Sequence, residues 1–220
     1  MPRVGVILSG CGVQDGSEIH EAVLTLLALD EAGAAVACLA PDRKQTLVVN
    51  HRTGKPVEET RSVIVESARI ARGRIQRLAD VGADDFDAVI LPGGFGAALN
   101  LCDFGQVYDK CKVDPEVERL LLEMNAAGKP IGAWCIAPAV VAAVFRNKGV
   151  QLTIGDDADT AAALKRMGAD HVCAGVGEVV VDAARKIVTT PAYMLAKSIK
   201  ELRPGIEKGV AEVLKLTGAR

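Results

Sequence analysis

Short apolar runs alternate with longer amphipathic stretches along this chain, and the two periods define the expected elements. "VGVIL" (4–8) reads as a strand. "SEIHEAVLTLLALDEAG" (17–33) reads as a helix with Ser17 as N-cap, Glu18 and Glu21 in its first turns and Gly33 at its end. "AVACLA" (35–40) is a second strand, residues 46–60 form an extended excursion turning at "RTGK", and 59–73 are helical. "FDAVILPGGFG" (86–96) is a strand entering a glycine turn, and Asp114 and Pro115 open a helix over 114–129. A strand at 130–134, a helix at 137–146, a strand at 150–154 and a helix at 157–170 follow. Two strands around a turn (178–190) and a final helix over about 194–215 close the chain.

Such alternation predicts one α/β domain over 1–220, a doubly wound, mostly parallel sheet with helices on both faces. Ligands of such sheets bind beyond the C-terminal strand ends, where the strand order reverses. Three expected strand ends carry unusual residues: "LSGCGVQDGSE", "LPGGFG" and "AWCIAPA".

Composition supports the buried sheet. Half the residues are hydrophobic, yet there are only four Phe, two Tyr and one Trp, so Ala, Val, Leu and Ile must build the core. A net charge of −2 without a basic run gives no expectation of nucleic acid. The N-terminus lacks a signal-peptide pattern and no stretch is long enough to span a bilayer, so the expectation is a cytoplasmic protein with no membrane partner. Six cysteines without a CxxC pair and three scattered histidines read as reduced thiols and no metal site. Cys102 and Cys111 read as two unrelated surface thiols.

Cys135 falls where the strand at 130–134 meets a helix, with Pro138 near that helix's first turn. A cysteine in an apolar run is ordinarily core filler. On a strand-to-helix turn it would face helix N–H groups that favour the thiolate, so reaction below the usual cysteine pKa of about 8.5 is expected. The glycines of "LPGG" (91–94) would let N–H groups turn toward a ligand, or would simply make a tight turn. Their weight depends on strands 88–91 and 130–134 being neighbours. Glu18 and Glu21, three apart, share a helix face and either complement the dipole or present a carboxyl to the thiol. His20 reads as a rim residue, Cys11 as a turn spacer, and Asp156 and Asp157 as helix caps.

"LPGGFGAALNL", "GAWCIAPA" and "EVVVD…KIVTTPAYMLA" resemble the PfpI/ThiJ superfamily, which has a class I glutamine amidotransferase-like, flavodoxin-type fold. "GVILSGCGVQDGSEIHEAVLTLLA", "NHRTG" and "LTIGDDADTAAAL" resemble more specifically the bacterial ElbB family, described as glyoxalase-like. The resemblance runs nearly end to end. It implies a cofactor-independent glyoxalase, commonly a homodimer, with Cys135 as the elbow nucleophile and the N–H groups of Gly94 and Ile136 facing an oxyanion. The superfamily's glutamate lies twelve residues before the glycine ending the first helix, which selects Glu21 here, with Glu18 as the alternative.

Departures from the pattern narrow the chemistry. Ile136 stands where many relatives carry histidine, "LTIGDD" and "TTPAYM" hold none, and glutaminase or peptidase chemistry loses its expected base. The resulting expectation is conversion of a small 2-oxoaldehyde such as glyoxal or methylglyoxal to its 2-hydroxy acid. The alternative is a redox-sensing or protein-binding switch centred on oxidisable Cys135. An amidotransferase subunit is a third reading.

Overall fold

The computed structural model describes residues 1–218. Its centre is a seven-stranded sheet. β1 (Arg3–Ile7) pairs in parallel with β2 (Ala35–Ala40), which pairs with the edge strand β5 (Ile75–Arg77). On the other side β1 pairs with β6 (Ala88–Leu91), then β7 (Ile131–Trp134), then β11 (Ile187–Thr190), all parallel. β10 (Val180–Asp182) closes that edge antiparallel to β11. The order β10-β11-β7-β6-β1-β2-β5 therefore reverses direction between β1 and β6. A hairpin of β3 (Val49–Asn50) and β4 (Lys55–Pro56) is the excursion expected around "RTGK".

Alternation of side chains across the sheet sorts the core into two layers. Val89, Leu91, Ile131 and Ala133 face α4 (Pro115–Ala126) and α5 (Pro138–Val144). Ala88, Ile90 and Trp134 face α1 (Ile19–Glu31) and α7 (Ile199–Leu216). α2 (Val63–Ile70) sides with α1, against β2 and β5. The expected doubly wound α/β fold is the observed one.

Several expected elements shift for identifiable reasons. The run 150–154 yields only β8 (Gln151–Leu152), paired with β9 (Asp170–His171) outside the main sheet, because β11 fills the place beside β7. α6 (Ala158–Arg166) joins that pair and is capped by Asp157, whose Oδ1 accepts from Thr160 N–H (2.8 Å). Helix α1 is capped by Glu18 rather than Ser17, since the Ser17 hydroxyl already accepts from Ser9 N–H (2.8 Å). α7 begins late because residues 192–194 form a separate 3₁₀ turn. Between β6 and α4, where the sequence reads as loop, a π-helical turn (97–101) precedes the short α3 (Phe104–Val107).

Candidate active site

β7 is buried throughout, and the chain leaves it at Cys135 in a left-handed conformation (φ 58°). A non-glycine residue there costs on the order of 1–3 kcal/mol and persists only where the surroundings enforce it. They do so on both sides. Cys135 N–H donates to Thr190 O (3.0 Å) and Ala137 N–H to Trp134 O (2.9 Å). The Trp134 ring is wedged between β7 and α7 over Gly132 and Gly209, and its Nε1–H donates to Thr25 Oγ1 (3.1 Å). Pro138 then sets the first turn of α5.

β6 and β7 are neighbours, with Leu91 opposite Ala133, so the "LPGG" turn lies beside the elbow. A side chain at Gly93 would strike Cys135 Cβ and sit 2.7 Å from Glu21 Oε2. Gly94 (φ 94°) presses against the 10–17 loop, where a Cβ would strike Gly16 O and Glu18 N. Gly96 meets the same loop through its N–H, which donates to Gly16 O (2.9 Å), and Glu18 N–H donates back to Gly93 O (2.9 Å). The loops after β1 and β6 therefore meet backbone to backbone. This closeness brings the N–H groups of Gly94 and Ile136 beside the Cys135 sulfur, where both favour its thiolate.

The two glutamates separate cleanly. Glu18 Oε2 accepts from Glu21 N–H (2.7 Å) and is occupied as the cap of α1. Glu21 is fully buried and lies beside Cys135, both side chains meeting the same face of Gly93. Its Oε2 accepts from Gly93 N–H (2.8 Å) and its Oε1 from Tyr193 N–H (3.2 Å). Burial, reinforced by the nearby Glu18 charge, pushes the Glu21 carboxyl up to about 7 despite those two donors.

The thiol differs from the sequence expectation. Burial, and then the Glu21 charge, raise Cys135 above the ordinary cysteine value, outweighing the Gly94 and Ile136 amides. Of a proton shared by this pair, sulfur is the better holder. The helix-end argument fails because it ignores desolvation, and desolvation dominates where the residue is 8% exposed.

Above Cys135 opens a cavity of about 380 Å³ lined by residues including Val13, Phe95, Phe104, Tyr108, Ile136 and Met194. Tyr193 also lines it, and its hydroxyl bonds His20 Nδ1 (2.9 Å), which places His20 at the rim as expected. Asp157 and Thr160 reach the cavity from α6, whereas Cys11 lies near Glu66, Arg69 and Asp15 instead. Cys102 and Cys111 are not surface thiols. Both are buried, Cys102 Sγ donating to Ala97 O (3.4 Å) and Cys111 Sγ to Met167 Sδ (3.8 Å), because the turns at 97–110 fold inward against α5 and α6. Sequence reasoning missed Tyr193, which holds Glu21 through a backbone amide, and the aromatic wall of Phe95, Phe104 and Tyr108. Among the described residues no group of three or more His, Cys, Asp or Glu is placed to hold a metal, and no helix is long and apolar enough to cross a membrane.

An elbow cysteine beside a switch in strand order, backed by a buried first-helix carboxyl, defines the class. The chain belongs to the DJ-1/PfpI family, whose description matches residues 11–196. It is 49% identical, over 98% of its length and 84% of theirs, to the rat (Rattus norvegicus) "ES1 protein homolog, mitochondrial" and the human (Homo sapiens) "Glutamine amidotransferase-like class 1 domain-containing protein 3, mitochondrial". It is also similar to the crystal structure of an isoprenoid biosynthesis protein with an amidotransferase-like domain from Ehrlichia chaffeensis, with TM-score 0.90 and 37% identity over 97% of this chain and 99% of that one. These comparisons bear out the flavodoxin-like, class I glutamine amidotransferase-like fold. They overturn the expectation of a cytoplasmic protein, since the matched rat and human proteins are both mitochondrial by name. The sequence features used for that expectation report only what the chain lacks.

Proposed function

We propose that this chain is a cofactor-independent glyoxalase of ElbB type, converting a 2-oxoaldehyde and water to the 2-hydroxy acid. The observation that carries the reading is the buried Glu21 carboxyl set against the same face of Gly93 as Cys135, its pKa pushed up to about 7 by burial, with the Gly94 and Ile136 amides beside the sulfur. As sulfur adds to the aldehyde carbon, the thiol proton passes to the Glu21 carboxylate, so no free thiolate has to accumulate. The new oxyanion takes over the Gly94 and Ile136 N–H groups, then accepts that proton to give the hemithioacetal. Glu21, again a carboxylate, moves the proton on the former aldehyde carbon to the neighbouring carbonyl carbon, while the hemithioacetal hydroxyl proton passes to the oxygen of that second carbon. This oxidises the first carbon to a thioester and reduces the second to an alcohol. Water cleaves the thioester and restores the thiol.

No histidine lines the cavity among the described residues, which supports aldehyde chemistry over release of ammonia from glutamine. The raised thiol also supports proton-coupled addition over a switch that works by spontaneous oxidation. A homodimer is part of the proposal, and sedimentation equilibrium reads it. The central test is glyoxal turnover by Cys135→Ala, followed as 2-hydroxy acid formed. Loss of at least about a hundredfold is expected for removal of the nucleophile, and unchanged turnover rejects the assignment.

A further inference from the structure

The cavity is far larger than a two-carbon aldehyde needs, and its walls are mainly apolar. Val13, Phe95, Phe104, Tyr108, Ile136 and Met194 surround an opening of about 380 Å³. Val13, Phe95 and Tyr108 stay 41%, 56% and 53% exposed, an apolar rim around a buried nucleophile. Exposed aromatic surface is costly unless something covers it.

Tyr108 carries the second observation. Its backbone has φ 51° and ψ −125°, a region that an aromatic residue occupies only at a cost of on the order of 1–3 kcal/mol. That conformation ends α3 and sets the Tyr108 ring 5.6 Å from Phe104, tilted by 59°. The pair makes an aromatic wall of the cavity that holds Cys135. Charge completes the picture. None of the described lining residues is Lys, Arg or His, and the Thr160 hydroxyl and then its N–H hold the Asp157 carboxyl below the usual carboxylate range. A carboxylate or phosphate on the ligand would find no counter-charge and one repelling carboxylate.

We infer that the Cys135 site takes aldehydes bearing a neutral, apolar substituent of about phenyl size, with Tyr108 and Phe95 as its specificity residues. The inference rests on the glyoxalase reading for its reaction, but not for its pocket. The reaction stays balanced as before, with phenylglyoxal and water giving mandelate.

Alkylation of Cys135 reads the pocket without turnover. Rates for N-benzyliodoacetamide, iodoacetamide and iodoacetate are followed by peptide mass mapping and divided by the rates of the same reagents on free 2-mercaptoethanol. The benzyl reagent should be favoured over iodoacetamide by about tenfold, from partial burial of one ring, and iodoacetate disfavoured. Tyr108→Ala should remove most of the benzyl preference. Phe95→Ala, at an exposed position that folding does not depend on, should remove part of it. A normalised benzyl preference near one, or one untouched in the Phe95 variant, overturns the inference. The ratio of kcat/KM for phenylglyoxal over glyoxal then separates the two proposals. A ratio above one supports both, and a ratio below one overturns the inference while leaving the glyoxalase. Absence of any turnover with the benzyl preference intact rejects the glyoxalase and keeps the pocket.

Discussion

Glutamine at position 21 is the most informative single change, because the structure makes its effect depend on pH. In the folded protein the Glu21 carboxyl titrates at about 7, against 4.5 for an unburied glutamate. The native state therefore holds an extra proton between those values. The associated stability is complete below about 4.5 and lost as pH rises through about 7, an amount of about 3 kcal/mol at 1.36 kcal/mol per unit. Glutamine abolishes that slope but is not a neutral stand-in. Both carboxyl oxygens accept backbone N–H groups, from Gly93 and Tyr193, and a protonated carboxyl can still accept at both. An amide nitrogen cannot, so one N–H is left unpaired at a cost of about 1–3 kcal/mol. Glu21→Gln should thus be the less stable protein at pH 4.5, with the gap closing or inverting by pH 8. Urea unfolding at constant m, in a Cys135→Ala background to remove the coupled thiol, measures it. A difference between the two proteins that stays flat across this range would refute the buried, neutral-range carboxyl.

The remaining predictions concern the same centre and its supports. Glyoxal kcat/KM should rise with an apparent pKa of about 7 as Glu21 becomes a base, and should fall about 10²–10⁴-fold in Glu21→Gln; a profile rising only near pH 9 would mean that free thiolate is needed instead. Gly93→Ala should abolish turnover and lower stability, since its methyl group would strike Cys135 Cβ, and a fully active variant would contradict the packing. Gly209→Ala, which in an exposed helix would stabilise by about 1 kcal/mol, should destabilise by about 1–3 kcal/mol because the new Cβ lies 2.7 Å from the Trp134 ring. Thermal unfolding of that variant decides the sign.

The strands legible in the sequence, the β10–β11 pair included, are apolar runs that are mostly or wholly buried. β1, β2, β6 and β7 are short apolar runs, and their order places the site. β5 went unread because at the sheet edge Ile75 is only half-buried while Gln76 and Arg77 are exposed, so its residues carry no strand pattern. The run at 150–154 is truly apolar, but apolarity does not say which sheet a segment joins. Cys135 was legible through its strand, its turn and Pro138. The choice between Glu18 and Glu21 was open on helix geometry alone, and counting back from Gly33 pointed to the residue found against the thiol. Ionisation was not legible, because desolvation comes from tertiary burial. Nor was Tyr193's support of Glu21, since a backbone amide leaves no mark on residue type.

The backbone seam between the loops after β1 and β6 bears on how this site can diversify. Gly16, Gly93, Gly94 and Gly96 each abut main-chain atoms or the cysteine itself, so any side chain there pushes apart the segments that carry Glu18, Glu21 and the amide of Gly94. Those four positions are closed to change whatever the ligand. Val13, Phe95 and Tyr108 stand on the same two loops or just beyond them, yet their side chains are half exposed at the cavity rim and bear no such load. New specificities among proteins built this way should therefore arise by exchange at the rim around an unaltered glycine seam. A laboratory selection for a different aldehyde should collect its substitutions at the same rim.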